Sequence, residues 1–281
     1  MFDRVRDVSE SRGVDRGQGV RDRPGVRGKR LLVTGGTRGL GEQIVRLLAA
    51  EGARVATCAR TASDLEALRG SLSADDSGRL FTQPLDVTEP ERLENFVAAS
   101  AQRFGGLDGV VACAGGSRGR SLELADAEDW AATWELNVGH TARLVRAAVP
   151  YLRTAGGGSV VVISSISGWK PGPNAQYGSA KSAQIHLAAS LARELGPDGI
   201  RVNAVSPGSM LIPGRRWDRM RTEEPEAFAA FTRAELPSGG PVAPHEVARV
   251  VAFLLSDWSS GISGANLPVD RAQNAPSPDG Y

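Results

Sequence analysis

Seven short apolar runs, separated by helical patterns, constrain this chain more than any other feature. They are Arg30–Thr34, Arg54–Cys58, Leu80–Asp86, Gly109–Ala112, Ser159–Ser164, Arg201–Ser206 and Ala265–Val269. Several are near-continuous Val, Leu and Ile, as suits parallel strands covered on both faces. Between them the sequence has helical character, notably over Glu89–Phe104, Asp126–Leu152, Ala175–Leu195 and Pro244–Ser256. Strand and helix in alternation, joined by right-handed crossovers, predict an α/β, doubly wound, mostly parallel seven-stranded sheet with helices on both faces. The 281 residues, 41% hydrophobic, suffice for one sizeable core. No repeat or second domain is visible, so residues 29–281 are read as a single domain. Residues 1–28 are rich in Arg, Asp and Gly and lack apolar periodicity. They are expected to form a disordered tail, because they cannot bury enough surface to offset ordering entropy.

The first strand leads into Thr34-Gly35-Gly36-Thr37-Arg38-Gly39-Leu40-Gly41 and then an apolar helical run from Ile44. Glycines there let the backbone approach a pyrophosphate, which the helix N-terminus faces with N–H groups and a positive dipole end. A glycine cluster alone would be weak evidence, but the strand before and the helix after are the context the motif demands. In doubly wound sheets ligands sit at the carboxyl ends of the strands. Thr34, Asp86, Ala114, Ser165 and Pro207 all fall at such ends.

Tyr177 and Lys181 stand four residues apart, with Ser165 twelve residues before the tyrosine. Residues i and i+4 share a helix face. An ammonium placed there favours the tyrosinate and draws the phenol below its usual pKa of ~10. A phenol tuned in this way can give or take a proton during a reaction. Asn174 is the expected N-cap of this helix and Gly196-Pro197 its stop.

In this order, these motifs resemble the short-chain dehydrogenase/reductase family in its compact, single-domain Rossmann form, over about residues 29–270. Thr34–Gly41 fits the cofactor turn. Asp86-Val87 fits the acidic dipeptide that touches adenine, and Ala114-Gly115 the end of the N-N-A-G element. Asn137, Ser165, Tyr177 and Lys181 fit the catalytic tetrad, and Pro207-Gly208 the turn beside the nicotinamide. Ser165 is preferred to Ser164 because Ser165-Ile166-Ser167-Gly168 matches S-x-x-G, although the loop to Tyr177 is one residue short.

The resemblance implies an NAD(P)-dependent oxidoreductase that interconverts a ketone and a secondary alcohol. Tyr177 would be the general acid/base, Lys181 would tune it and bind the nicotinamide ribose, and Ser165 would hold the substrate oxygen. Asn137 would hold a water relaying protons to Lys181. The implied cofactor contacts are Gly35, Thr37, Arg38, Gly39, Leu40, Gly41, Arg60, Asp86, Val87, Ala114, Gly115, Tyr177, Lys181, Pro207 and Gly208. Where NAD-dependent members carry an Asp after the second strand, this chain has Ala59, followed by Arg60. Two guanidiniums, Arg38 and Arg60, suit a 2′-phosphate, so NADP(H) is expected over NAD(H).

The chain also departs from the family. Ala112-Cys113 replaces two asparagines, Ile212 stands near the usual threonine after Pro207-Gly208, and Arg271-Ala272 follows Asp270 in place of paired glycines. The segment Met210–Arg221 takes the place of the substrate loop. Trp217 is a candidate pocket wall there, and its arginines are read first as a solvated helix face.

A formal net charge of +1 offers no field for nucleic acid or an anionic membrane. No apolar run reaches a membrane span, and the start has no signal core, which predicts a cytoplasmic protein. Cys58 and Cys113 are expected to be buried thiols. His140, His186 and His245 lack ligand spacing, so no metal site is expected. The helices at Asp126–Leu152 and Ala175–Leu195 carry small or apolar residues on a second stripe, including Ala131, Ala142, Val145 and Ala188. A sheet covers only one stripe. A homo-oligomer, tetramer over dimer, follows from that and from the resemblance. A cofactor-binding regulatory protein without turnover would share the fold, but the intact tetrad weighs against it; an assembly scaffold is a further alternative, separated by catalytic loss on Tyr177→Phe with unchanged assembly.

Overall fold

The computed structural model describes residues 25–117, 121–172 and 174–275. Seven parallel strands form one sheet in the order β3-β2-β1-β4-β5-β6-β7. They are β1 Arg30–Thr34, β2 Arg54–Ala59, β3 Leu80–Pro84, β4 Gly109–Ala112, β5 Gly158–Ile163, β6 Ile200–Pro207 and β7 Asn266–Val269. All seven expected runs are strands, most shifted by a residue or so. The third ends at Pro84, before Leu85 and Asp86, with the Leu85 N–H making the last bond to β2 at the Ala59 carbonyl.

The described helices are α1 Gly39–Ala50, α2 Ala62–Gly70, α3 Ala74–Gly78, α4 Pro90–Phe104, α5 Ala127–Trp134, α6 His140–Thr154, α7 Ala175–Leu195, α8 Arg216–Glu223, α9 Pro225–Glu235 and α10 Pro244–Leu255. Each face of the sheet has its own core. Strand β5 shows the alternation: Val160 and Val162 pack with Phe96, Leu144 and Ala188 beneath α4, α6 and α7. Val161 and Ile163 pack with Ile44, Leu48, Val247 and Val251 beneath α1 and α10. Fully burying such a side chain contributes roughly 1.5–3 kcal/mol.

Two boundaries move. The expected tail runs to residue 28, yet Val26 is fully buried in the second core and the Gly28 N–H donates to the Gly52 carbonyl. The folded unit therefore reaches back to at least Val26, while residues 1–24 lie outside the described residues. The expected helix over Asp126–Leu152 is α5 and α6 joined end to end by a π turn, Glu135–Gly139. Asp126 starts it with a capping box, its carboxylate accepting the Asp129 N–H at 2.9 Å.

Val145 and Ala188, assigned to an outward stripe, are 1% exposed and belong to the core. Ala131 and Ala142 are exposed, and Trp134 is 48% exposed on the same outer side of the α5–α6 rod. The pattern identified two stripes without saying which one faced the sheet.

Candidate active site

The glycine turn between β1 and α1 is tight enough to demand glycine. Gly35 and Gly39 have positive φ of 74° and 55°, where L side chains are strained. A Cβ on Gly41 would lie 2.2 Å from the Gly35 carbonyl oxygen. Arg38 is the N-cap of α1 and makes no side-chain cap bond, so the first helical N–H groups face outward as an anion cradle. The residues here fit a dinucleotide pyrophosphate.

Around the cradle, Arg38 stands among like charges. Its guanidinium pKa is drawn down by burial first, then by Arg215 and Arg60, while Asp64 offsets them. The two expected arginines are thus joined by a third, from the start of α8. Sequence reading placed Arg215 on a solvated face because its approach to Arg38 is tertiary. Asp86 accepts the N–H and hydroxyl of Thr88 at 2.9 and 2.8 Å, and Val87 is buried in the core. The side-chain bonds missing at Ala112-Cys113 are replaced from β1: the Thr34 hydroxyl accepts the N–H groups of Cys113 and Ala114 at 3.0 and 3.1 Å.

The four tetrad candidates converge at the carboxyl ends of β4 and β5. Asn174 caps α7 through the Tyr177 N–H at 3.2 Å. Lys181, 3% exposed, donates to the Ile163 carbonyl at 2.9 Å and to Gln184 Oε1 at 2.7 Å. Its Nζ lies 5.5 Å from the centre of the Tyr177 ring. A Cβ on Gly115 would meet Asn137 Oδ1 at 2.9 Å and Lys181 Nζ at 3.2 Å, so only glycine lets these two side chains approach the Ala114-Gly115 backbone.

The two serines have separate work. Ser164 is 3% exposed and donates to the Lys181 carbonyl at 2.8 Å, locking β5 to α7. Ser165 caps the short turn Ile166–Gly168, its hydroxyl accepting the Ser167 N–H at 3.1 Å, and stands where it lowers the pKa of the Tyr177 phenol. Of the two serines, Ser165 is the one beside the phenol.

The electrostatics differ from expectation. Burial pushes the Tyr177 phenol up, and the lowering contact comes from Ser165. Burial also brings the Lys181 ammonium down to about 7, slightly opposed by Cys113. The tuning assigned to Lys181 is therefore not seen in the protein groups alone; within them, Ser165 supplies it.

Asn137 differs too. Both of its amide N–H bonds are committed, to the Gly116 and Thr133 carbonyls at 2.8 and 2.7 Å, and its Oδ1 accepts the Gly116 N–H at 3.1 Å. Its side chain holds the Gly115-Gly116 loop in place. A direct link from Asn137 to Lys181 runs through Gln184, whose Nε2 donates to the Asn137 carbonyl at 2.9 Å and to Thr141 Oγ1 at 3.0 Å. Gln184 escaped the sequence reading, although its i+3 spacing from Lys181 on one helix face was a usable signal.

Ile212, near the family threonine, packs against the cofactor turn; a Cβ on Gly39 would lie 3.1 Å from it. Helices α8 and α9 flank the site. Trp217 stacks on Phe231 with ring centres 4.1 Å apart, and Arg216 lies over the Trp217 ring at 4.7 Å. Neither helix contains a fully buried residue.

His140 is buried with Nδ1 on the Leu136 carbonyl at 2.6 Å, and desolvation takes it down to about 4. Cys58 and Cys113 are pushed up to about 12 by burial. Among the described residues no metal-binding cluster exists and no helix is long and apolar enough to cross a membrane.

The chain is similar to known proteins over most of its length. A family model described as enoyl-(acyl carrier protein) reductase matches residues 35–271. The chain is 36% identical over 250 residues to isoepoxydon dehydrogenase of Penicillium expansum, covering 88% of this chain and 95% of that protein. It is 36% identical over 251 residues to trans-4-hydroxycyclohexanecarboxylate dehydrogenase of Sinomonas cyclohexanicum, covering 87% and 92%. Among solved structures, L-sorbose reductase of Gluconobacter frateurii in complex with NADPH and L-sorbose superimposes with a TM-score of 0.82 at 29% identity, covering 88% of this chain and 97% of that one.

Proposed function

The chain belongs to the short-chain dehydrogenase/reductase family and is an NAD(P)-dependent oxidoreductase, and from that premise we propose that it uses NADP(H) to interconvert a ketone and a secondary alcohol, with Tyr177 as general acid/base. The observation that carries this reading is the convergence of Ser165, Tyr177 and Lys181 at the strand ends, with Ser165 beside the phenol and Lys181 Nζ 5.5 Å from the centre of its ring.

The nicotinamide supplies the hydride to the carbonyl carbon, or takes it back from the carbinol. The protein's part is the proton and the developing charge. Ser165 hydrogen-bonds the substrate oxygen and stabilises its growing negative charge. Tyr177 gives its proton to that oxygen in reduction and takes it in oxidation. Lys181, near 7, carries either protonation state close to neutrality and stands beside the phenol that must be recharged. Gln184 and the Ile163 carbonyl fix its Nζ in place. Arg38 and Arg60, with Arg215, offer a 2′-phosphate charged hydrogen bonds worth roughly 1.5–3 kcal/mol each. NADPH bound to the sorbose reductase supports the same preference. The contact set proposed for the cofactor is the one named from the sequence, from Gly35 through Gly208.

For the substrate, the partly exposed Trp217 and Phe231 favour a compact, largely apolar ketone. One relative is named for a hydroxycyclohexanecarboxylate, so a ring ketone is the first class to try and an acyl thioester the second. A cytoplasmic homo-oligomer, tetramer over dimer, remains part of the proposal. The exposure of Trp134 and Ala142 supports a contact on the α5–α6 rod. Light scattering at micromolar concentration is expected to give a multiple of the 29.5 kDa chain, and a monomeric mass for active protein would end that part.

The decisive assay is a panel of cyclic ketones and 3-oxoacyl thioesters with NADPH and with NADH, followed at the nicotinamide absorbance. Turnover of a ring ketone with NADPH preferred is expected. Failure of the protein to bind either nucleotide would refute the reading.

A further inference from the structure

Only two non-glycine residues with positive φ occur among the described residues, and they are consecutive: Arg271 at 52° and Ala272 at 66°. Such backbone is costly without glycine and persists where surrounding contacts over-determine it. Here they do. The Asp270 carboxylate accepts the N–H groups of Ala272 at 3.1 Å and Asn274 at 3.0 Å. Its carbonyl accepts the Gln273 N–H at 3.0 Å. Arg271 reaches Glu246 on α10 at 2.8 Å.

The strained turn carries Gln273 onto the Pro207–Ser209 turn. Its Oε1 accepts the Ser209 N–H at 2.7 Å and its Nε2 donates to the Ser209 hydroxyl at 2.9 Å. Both residues are under 9% exposed. The fit is close: a Cβ on Gly208 would lie 2.7 Å from both Asp270 Cβ and Gln273 Oε1. From the other side, Lys170 donates to the Gln273 carbonyl at 3.1 Å and to Glu235 at the end of α9. One side chain thus occupies the N–H and the hydroxyl of Ser209, while the Ser209 carbonyl accepts the Val242 N–H at 3.1 Å.

We propose that Gln273, aimed by the strained Asp270–Asn274 turn, is a positioning residue that fixes the Pro207–Ser209 turn and through it the nicotinamide end of the cofactor site. The proposal rests on the reading of Pro207-Gly208 as part of that site. Gln273 touches no reacting atom; it holds the Ser209 backbone so that the neighbouring groups meet the ring without rearranging. Its loss should therefore be felt by ligands that carry the ring and not by ligands that end at the adenosine.

The test is a fluorescence titration of Gln273→Met, Gln273→Glu and the unmutated protein with NADPH and with 2′,5′-ADP, which lacks the nicotinamide half. Methionine keeps the volume and removes both bonds. Its NADPH Kd is expected to rise about tenfold, the worth of one to two neutral hydrogen bonds, with 2′,5′-ADP unchanged. Glutamate still accepts from the Ser209 N–H and hydroxyl and should restore most of the NADPH affinity. Ser209→Ala, which keeps the backbone bond, should fall between and serves if the methionine variant does not fold. Equal weakening of NADPH and 2′,5′-ADP, or no change in either, would overturn the proposal. An unmutated protein that bound neither ligand would instead overturn the cofactor reading itself, and the proposal with it.

Discussion

Beneath Tyr177, the side chains of Asn137, Thr141, Lys181 and Gln184 are all 3% exposed or less and bonded to one another or to backbone carbonyls. Beside it, α8 and α9 bury no residue fully and are joined through a ring stack. The floor contains polar groups whose desolvation is offset only because each has a partner. Such a network has one arrangement, which suits chemistry that requires fixed proton donors. The α8–α9 pair, called the lid below for its place beside the site, has few buried apolar contacts and so a low local stability. The fold thus sets a tightly bonded polar floor beside a loosely packed pair of helices.

The comparison breaks first at Tyr177. Replacement by Phe keeps the ring and removes the proton, so turnover should fall roughly 10²–10⁴-fold. The NADPH Kd, measured by fluorescence titration, should stay within error; near-full activity would remove chemistry from the floor. At the rim the effect is on binding. Arg60→Asp should raise the NADPH Kd about 100-fold and spare NADH, as expected for one lost charged bond plus a repulsive carboxylate. Equal affinities for the two nucleotides in the unmutated protein would contradict the role of the arginine group.

His140, next to Thr141 of the floor, predicts a pH dependence of stability. His140 has a folded pKa near 4, below its ordinary value near 6.5. Between those values the unfolded chain binds a proton that the folded chain refuses, so stability falls as pH drops from about 6.5 toward about 4. The slope from this group is about 1.4 kcal/mol per pH unit. Urea midpoints across that window should show it, and His140→Leu should flatten the curve. An unchanged slope in the variant would place the titration elsewhere. Lys181 and Arg143 oppose protonation of this ring and Asp86 favours it, all less than burial does.

Smaller effects belong to the lid. Trp217→Ala removes the stack on Phe231 and should raise KM up to about tenfold with kcat nearly kept, given the modest worth of an aromatic pair. A kcat effect larger than the KM effect would show the lid taking part in the reaction. Smallest of all, Ala272→Gly relieves a left-handed backbone without touching Gln273. It should add up to about 1 kcal/mol of stability and raise Tm by about 2 °C; a lower Tm would mean the turn is not strained.

How much of this was legible in the sequence depends on how local each signal was. The seven strands were readable because each is a contiguous apolar run, and the glycine turn because strand, turn and helix are adjacent. Tyr177 and Lys181 were readable from one helix face. The lid helices were not, because a helix with no buried residue has little apolar periodicity to reveal it. Val145 and Ala188 were misassigned because periodicity finds a stripe without fixing what it faces. Ser209 and Gln273 are 64 residues apart, and only the pairing of β6 with β7 brings them together. Arg215 reaches Arg38 for the same kind of reason, across the fold and not along the chain.

The central claim is that hydride moves between the nicotinamide and the carbonyl carbon while Tyr177 supplies the proton to the oxygen. It is tested most directly with NADPH carrying deuterium at the transferred position and a ring ketone from the active panel, the alcohol being analysed by mass spectrometry and NMR. The account predicts one deuterium at the carbinol carbon from the unmutated protein and loss of nearly all product with Tyr177→Phe. Alcohol formed without deuterium at that carbon, or formed equally well by the phenylalanine variant, would contradict it.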